Sequence, residues 1–415
     1  MTAIGAIIGL IFAIILIIKK IPAAYSLIAG ALAGGLIGGV PLGDTITLMI
    51  DGIKDISPAI IRIIAAGVLS GVLVMTGAAE TISNAIIRVL GESKVFLALA
   101  LATMLLTTAG VFIDVAVITV APIALSLGNR LGKSPAFLLV AMIGGGKCGN
   151  IISPNPNTII AAENLGAPLP TVIFYNIIPA IIGLIFTVVI IQRILPKKQS
   201  NFCKPASYTE KENLPPLWSS LSAPVATLLL LALRPVAGIT IDPLLAMPLG
   251  GIVGLLCMNR WRDTLTCLGY GLQKMSGVAI LLIGTGTIAG IIKNYTLKEA
   301  ILNLLEQANI NDALVAPISG ALMSAATAST TAGATLASAS FADVILAIGI
   351  SVAWGAAMIN AGATVMDHLP HGSFFHATGG VCELSFKERL RLIPYESLIG
   401  FVLAALSTGM YFICG

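Results

Sequence analysis

Ten stretches of the chain each run sixteen residues or more with at most two charged residues: 3–18, 21–40, 56–79, 134–165, 171–195, 217–238, 242–259, 272–292, 344–369 and 391–413. A helix crossing the roughly 30 Å hydrocarbon core of a bilayer needs about 20 apolar residues, so each stretch reads as a membrane span. Only 10% of the 415 residues are charged, against about 25% in a soluble domain, so lipid has to be the solvent of this fold. The 43 glycines suit close packing of membrane helices. Residues 3–18 read as the first span and not as a cleaved leader, because Lys19 and Lys20 follow the apolar stretch instead of preceding it. The net charge of +4 comes from scattered basic residues with no stripe, which argues against nucleic-acid binding. The six cysteines fall singly, so neither a disulfide framework nor a thiolate metal site is expected.

Two further apolar regions, 95–128 and 312–341, are too long for one span and are broken midway by small and polar residues. The first break runs from Thr107 to Asp114 and the second from Ala326 to Gly333. Broken backbone at membrane depth persists only where protein or a wet cavity surrounds it. Both regions therefore read as re-entrant hairpins, the alternative being two ordinary helices with a tight turn. With the N-terminus outside, seventeen lysines and arginines collect on one face and three (Lys54, Lys293, Lys298) on the other, while Arg62, Lys147 and Arg234 lie within or at the ends of spans. The positive-inside rule then places both termini on the extracytoplasmic side of a bacterial inner membrane.

The halves resemble each other. Gly52–Ser57 lines up with Gly271–Ser276 at an offset of 219, which also lays the first hairpin break on the second. At an offset of 214, Ser153–Asn157 falls on Asp367–His371, with Pro156 on Pro370. The expected fold is an all-α polytopic membrane protein of two inverted structural repeats, 1–195 and 217–415, joined by a proline-rich cytoplasmic linker at 196–216. Each repeat holds about five spans plus a re-entrant hairpin, and a broken span at about 134–165 or 344–373. Inverted repeats with broken helices meeting near the midplane characterise many secondary transporters.

Polar groups at membrane depth are costly and mark functional candidates. In the first half, the run from Gly144 to Thr158 contains Lys147, Asn150, Ser153, Asn155, Asn157 and Thr158 among its glycines and two prolines. The prolines unwind the helix, and freed backbone groups with the asparagine amides can hold a polar solute. Lys147 is a partner for a bound carboxylate; the bland alternatives are a snorkelling lysine or an ion pair with Asp114. In the second half, Asn360, Asp367, His368, His371 and Ser373 occupy the matching run, with His376 beyond it. Asp114, Asp367, His368 and His371 are the candidates for proton coupling, since histidine titrates near neutrality. A zinc site on His-x-x-His and a plain loop at the rim are the rivals for that cluster, and no metal or cofactor is expected. Thr108, Ser329, Thr330 and Thr331 at the hairpin tips are candidates for the solute, because hydroxyls and unpaired N–H groups at a helix N-terminus suit an anion. Hydroxyls also satisfy membrane helices quietly, so the cluster counts for more than any member.

No nucleotide-binding loop, HExxH or GxSxG is present, which leaves an ion gradient as the energy source and argues against an enzyme. The glycine-rich run into Ser153-Pro154-Asn155-Pro156-Asn157, the Thr107–Asp114 hairpin and the closing Lys387-Glu388-Arg389-Leu390 resemble the gluconate permease (GntP) family, within a superfamily of inverted-repeat ion transporters, over nearly the whole length. The resemblance implies proton-coupled import of a small hydroxy- or amino-carboxylate, such as gluconate, by an elevator-like homodimer. A sodium-coupled carboxylate carrier or a cation/proton antiporter of the same broad fold, with Asp114 and Asp367 as cation ligands, is the alternative. Many gluconate permeases carry a Pro-Pro-His-Pro-Gly-Pro type run where this chain has Ser153–Thr158, a departure at the expected substrate site.

Overall fold

In the first half, helices fill nearly every stretch that the apolar pattern marks, and they break where it breaks. The structure is a computed structural model describing residues 3–195, 213–237, 239, 241–293, 311–370 and 372–415. Most of the 196–216 linker therefore lies outside the described residues. The elements are α1 (Ala3–Ile18), α2 (Ala23–Ile37), α3 (Leu42–Met75), α4 (Ala78–Leu90), α5 (Val95–Thr108), α6 (Ile113–Leu131), α7 (Pro135–Asn150), α8 (Pro156–Leu165) and α9 (Leu169–Ile194). They continue with α10 (Leu217–Ala237), α11 (Pro243–Cys257), α12 (Thr264–Lys293), α13 (Val315–Thr327), α14 (Thr330–Ala347), α15 (Val352–Gly362), α16 (Ser373–Val381), α17 (Phe386–Leu390) and α18 (Ile393–Cys414). No strand occurs among the described residues.

Three boundaries differ from the apolar pattern. The third span starts at Leu42 and not near 56, because its first turns, with Asp44, Asp51, Lys54 and Asp55, form a polar helical extension. At 34 residues this helix is about 51 Å long, well beyond the hydrocarbon thickness. Helix α4 went unrecognised, since Glu80, Ser83, Asn84 and Arg88 interrupt its apolar residues at helical spacing. The stretch expected as one span at 344–369 divides instead between the second hairpin arm, which runs on to Ala347, and the 11-residue α15.

Helices α3 and α12 pack along much of their length, and glycine sets the approach. A Cβ on Gly52 would strike the Gly286 carbonyl and the Gly290 backbone; one on Gly67 would strike Gly271, and one on Gly71 the Cys267 carbonyl. Numbers rise along one helix as they fall along the other, so the two run antiparallel. Arg62 of α3 joins this pair to its surroundings: its guanidinium grips Asp242, the N-cap of α11, through Nε at 2.9 Å and Nη2 at 2.6 Å, and reaches Glu163 of α8 through Nη1 at 2.6 Å.

Gly52→Leu is expected to disrupt the α3–α12 seam, because overpacking a close contact costs about 1–3 kcal/mol or more. Gly43→Ala, at a position with nothing within 4 Å of a new Cβ, is expected to leave stability unchanged. Melting curves of the detergent-purified variants give the comparison.

Candidate functional site

The first helix break is short and internally capped. Pro135 opens α7 after the Ser134 cap, whose hydroxyl accepts from Phe137 N. The helix ends at Asn150, and residues 151–155 turn the chain before Pro156 opens α8. Asn155 serves both ends of the gap. Its Nδ2 donates to the Asn150 carbonyl at 2.8 Å and to Asn150 Oδ1 at 2.6 Å, while its own Oδ1 accepts from Thr158 N at 3.1 Å. One side chain thus supplies a donor to a helix C-terminus and an acceptor to a helix N-terminus, the two ends a break leaves unsatisfied. Asn176 of α9 and Asn360 of α15 hold the same break from outside: Asn176 Nδ2 donates to the Ile151 carbonyl at 3.4 Å and also to the Ala357 carbonyl of α15 at 3.1 Å, and Asn360 Nδ2 donates to Thr158 Oγ1 at 2.9 Å.

The second break, between α15 and α16, brings its charged residues inward. Lys147 and Asp367 are both buried, at 0% and 2% exposure, with Nζ 2.6 Å from Oδ1. Lys147 also donates to the Thr364 carbonyl. The second carboxylate oxygen of Asp367 accepts from Thr330 Oγ1 at 2.6 Å, at the first residue of α14. His368 Nδ1 lies 2.9 Å from Asp367 Oδ1 and 3.1 Å from Lys147 Nζ, while its Nε2 faces the Ile393 carbonyl and Ser397 Oγ, each at 3.1 Å. A carbonyl can only accept, so Nε2 carries a proton, and the state of Nδ1 sets the ring's charge.

Between these breaks and the two hairpin tips lies a cavity of about 140 Å³. Its walls are Phe112, Ile113 and Asp114 from the first tip, Asn150 and Asn157 from the first break, Ala328, Ser329, Thr330 and Thr331 from the second tip, and Asp367, Ser373 and Phe374 from the second break. Four helices (α6, α8, α14 and α16) therefore present their N-terminal turns to one space. The second tip can turn there because Ala328 adopts a left-handed conformation, φ 48°, and Ser329 caps α14 by accepting from Ala332 N. Thr331 Oγ1 donates to Asn157 Oδ1 at 2.6 Å, fastening that tip to α8. Asn155 already engages Asn150 Oδ1, and the Asn150 Nδ2 donor is buried with no hydrogen-bond partner. Neither lysine nor arginine lines the cavity among the described residues.

The structure sorts the expected site residues into groups. Asp114, Asn150, Asn157, Ser329, Thr330, Thr331, Asp367 and Ser373 line the cavity. Lys147, Ser153, Asn155, Thr158, Asn360 and His368 are buried behind it. Thr108 stands apart, its hydroxyl donating to the Met104 carbonyl of its own helix at 2.8 Å. His371 lies outside the described residues, and the exposed His376 contacts the Pro370 carbonyl at 2.8 Å. The partner weighed for Lys147 changes: Asp367 takes the place of Asp114. Sequence reasoning did not single out Phe112, Phe374, Ser397 or Asn176. For Asn176 a signal existed, a lone amide between Tyr175 and Ile177-Ile178 in an apolar run. No cluster of three or more metal-ligating side chains occurs among the described residues.

A chain of apolar helices, two of them broken around a polar cavity, is a multi-pass membrane transporter. It belongs to the GntP permease family: a family model described as GntP family permease matches residues 1–413. The chain is 53% identical over 407 residues to a Haemophilus influenzae protein described as an uncharacterized transporter, covering 98% of this chain and 97% of that one. It is 23% identical to the gluconate permease of Zymomonas mobilis over 401 residues, 89% of each chain. Among solved structures it is similar to the YdaH transporter of Alcanivorax borkumensis, with a TM-score of 0.66 at 14% identity over 89% of this chain and 88% of that one, a likeness of fold alone. The family and these relatives are transporters and not enzymes.

Lys147→Met alone is expected to destabilise the protein by about 3–5 kcal/mol, because it strands the buried Asp367 carboxylate. Adding Asp367→Leu is expected to recover most of that loss. Thermal melting of the single and double variants measures both.

Proposed function

We propose that the chain is a proton-coupled symporter that carries a small organic carboxylate across the bacterial inner membrane. The observation that carries this reading is the convergence of four helix N-termini on one cavity without a lining cation. Each N-terminus acts as about half a positive charge and presents unpaired N–H groups, so together they favour an anion. Lys147 adds no net charge, since Asp367 neutralises it. The Zymomonas relative is named for gluconate, a hydroxy carboxylate, which agrees with an anion site ringed by hydroxyls and amides.

Asp114 carries the coupling proton in this reading. It is the one lining carboxyl that neither a hydrogen bond nor an ion pair holds among the described residues, whereas Asp367 is tied to Lys147, Thr330 and His368. An ionised Asp114 repels the substrate carboxylate, and a protonated one admits it. Anion and proton therefore enter together. Asp367 and His368 serve to hold the second break in place.

Two inverted repeats, moving by an elevator-like mechanism, account for the framework. The antiparallel run of α3 and α12, whose Gly52 and Gly271 correspond at the 219-residue offset, supports the inversion. At 14 and 13 residues, α5 and α13 reach about 21 and 20 Å, too short to cross the bilayer. That supports tips that stop midway and arms that return to the face they entered by.

Purified protein in liposomes is expected to accumulate a labelled hydroxy carboxylate when an inward proton gradient is imposed, equally well in sodium or choline. Accumulation that survives a protonophore, or that requires sodium, rejects proton coupling. Asp114→Asn is expected to abolish gradient-driven accumulation while retaining substrate exchange across the membrane. Equal loss of both activities would remove Asp114 from the coupling role.

A further inference from the structure

Broken helices leave polar atoms that have to find partners, and one such atom at the cavity has none. Among the described residues, Asn150 alone both lines the cavity and leaves a buried side-chain polar atom, its Nδ2, without a hydrogen bond. The residue is only 2% exposed, so bulk water does not reach the amide. Folded proteins rarely leave a buried donor without an acceptor, because the lost hydration is not repaid.

Which end of the Asn150 amide is left over follows from backbone groups whose polarity cannot change. Thr158 N can only donate, and it donates to Asn155 Oδ1 at 3.1 Å. Asn155 is thereby turned with Nδ2 toward Asn150, where it donates to the backbone carbonyl at 2.8 Å and to Oδ1 at 2.6 Å. Since Asn150 Oδ1 is taken, Nδ2 is the arm that remains for the cavity. The same direction is imposed from farther back. Asn360 Nδ2 donates to Thr158 Oγ1 at 2.9 Å, and Thr158 Oγ1 donates to Asn155 Oδ1 at 3.2 Å. Donors therefore point one way along Asn360, Thr158, Asn155 and Asn150.

At the second hairpin tip the polarity is opposite. Thr330 Oγ1 donates to Asp367 Oδ2 and Thr331 Oγ1 to Asn157 Oδ1, each at 2.6 Å. With their protons committed, these two hydroxyls offer the cavity only lone pairs. Neither can donate to an anion, whereas Asn150 can do nothing else.

We infer that Asn150 is a specificity-determining residue whose Nδ2 donates to an oxygen of the carboxylate cargo. Asn155 is the positioning residue that keeps this donor, instead of the amide oxygen, turned to the cavity. An amide oxygen in that place would set its lone pairs against those of the anion. The inference rests on the symport reading above and deepens it.

The test measures exchange of labelled gluconate, glycerate and malate in proteoliposomes at equal pH on both faces, so that no gradient enters. The probe is whichever of the three the wild-type protein exchanges fastest. Asn150→Ala is expected to raise its KM about 10- to 100-fold, the range for losing a hydrogen bond to a charged group, with the maximal rate little changed. Asn150→Asp keeps the shape but sets an oxygen where Nδ2 stands; its KM is expected to rise further, and it serves where Asn150→Ala loses its melting transition. Asn155→Ser keeps an N-cap for α8 and adds no charge, but withdraws the amide that orients Asn150. Alone it is expected to raise KM about threefold or more, and combined with Asn150→Ala to add nothing, since it acts only through Asn150. An unchanged KM in either folded Asn150 variant overturns the assignment, as does a lower maximal rate at unchanged KM. Effects of Asn150→Ala and Asn155→Ser that multiply overturn the positioning role. Folded wild-type protein that exchanges none of the three overturns the symport reading, and this inference with it.

Discussion

The contact on which the rest of the site depends is the ion pair between Lys147 and Asp367, two fully buried charges 220 residues apart in sequence. Neither exchanges its partner for water, so each enforces the position of the other; removing one leaves an uncompensated charge in a medium that solvates it poorly. For the two to meet, the second helix break has to pass close to the end of α7. Asp367 then fixes the second hairpin tip through Thr330, and His368 fixes the start of α18 through the Ile393 carbonyl. One electrostatic requirement thereby brings a broken helix of the first half, a break of the second and a hairpin tip into a single arrangement.

That arrangement leaves no unpaired side-chain cation lining the cavity among the described residues. Had Lys147 faced the cavity alone, it would have been the dominant positive charge there, and the helix ends would have been secondary. With Lys147 neutralised, the field in the cavity comes from backbone dipoles and from Asp114. The unwound backbone that makes these N-termini available is expensive in a membrane, because unsatisfied peptide groups find no water there. Asn155 meets that need at the Asn150 carbonyl, and Asn176 and Asn360 meet it at the Ile151 carbonyl, each with a side-chain amide. Polar residues in the breaks thus divide their work between sustaining broken helices and lining the cavity.

Around the site, α3 and α12 supply a frame whose closeness rests on glycine backbone meeting backbone. Arg62 links this frame to α8, whose N-terminal turn lines the cavity, through Glu163, and to α11 through Asp242. Displacing α8 relative to α3 therefore means separating a partly exposed ion pair, a modest cost beside that of parting Lys147 from Asp367. The strong pair lies within the cluster of breaks and tips, and the weaker pair lies between that cluster and the frame.

The apolar runs by themselves determined that lipid is the solvent, that residues 3–18 and 217–237 are helical, and that the chain breaks near Gly110, Asn155, Ala328 and Leu369. Hydrophobicity, proline and glycine act locally, and local terms are readable in order along a chain. They also marked Asn150, Asn157, Thr330, Thr331 and Asp114, because a polar residue among apolar neighbours stands out wherever the chain later goes. Helix α4 and the first turns of α3 were not legible by that rule, since both are amphipathic and only one face of each is apolar. Tertiary structure alone decided that Lys147 pairs with Asp367 instead of Asp114, that Thr108 turns to its own helix, and that four N-termini share one cavity. The physical reason is that apolar helix faces resemble one another and carry little register information, so which polar groups meet across some 200 residues is settled only when the helices pack.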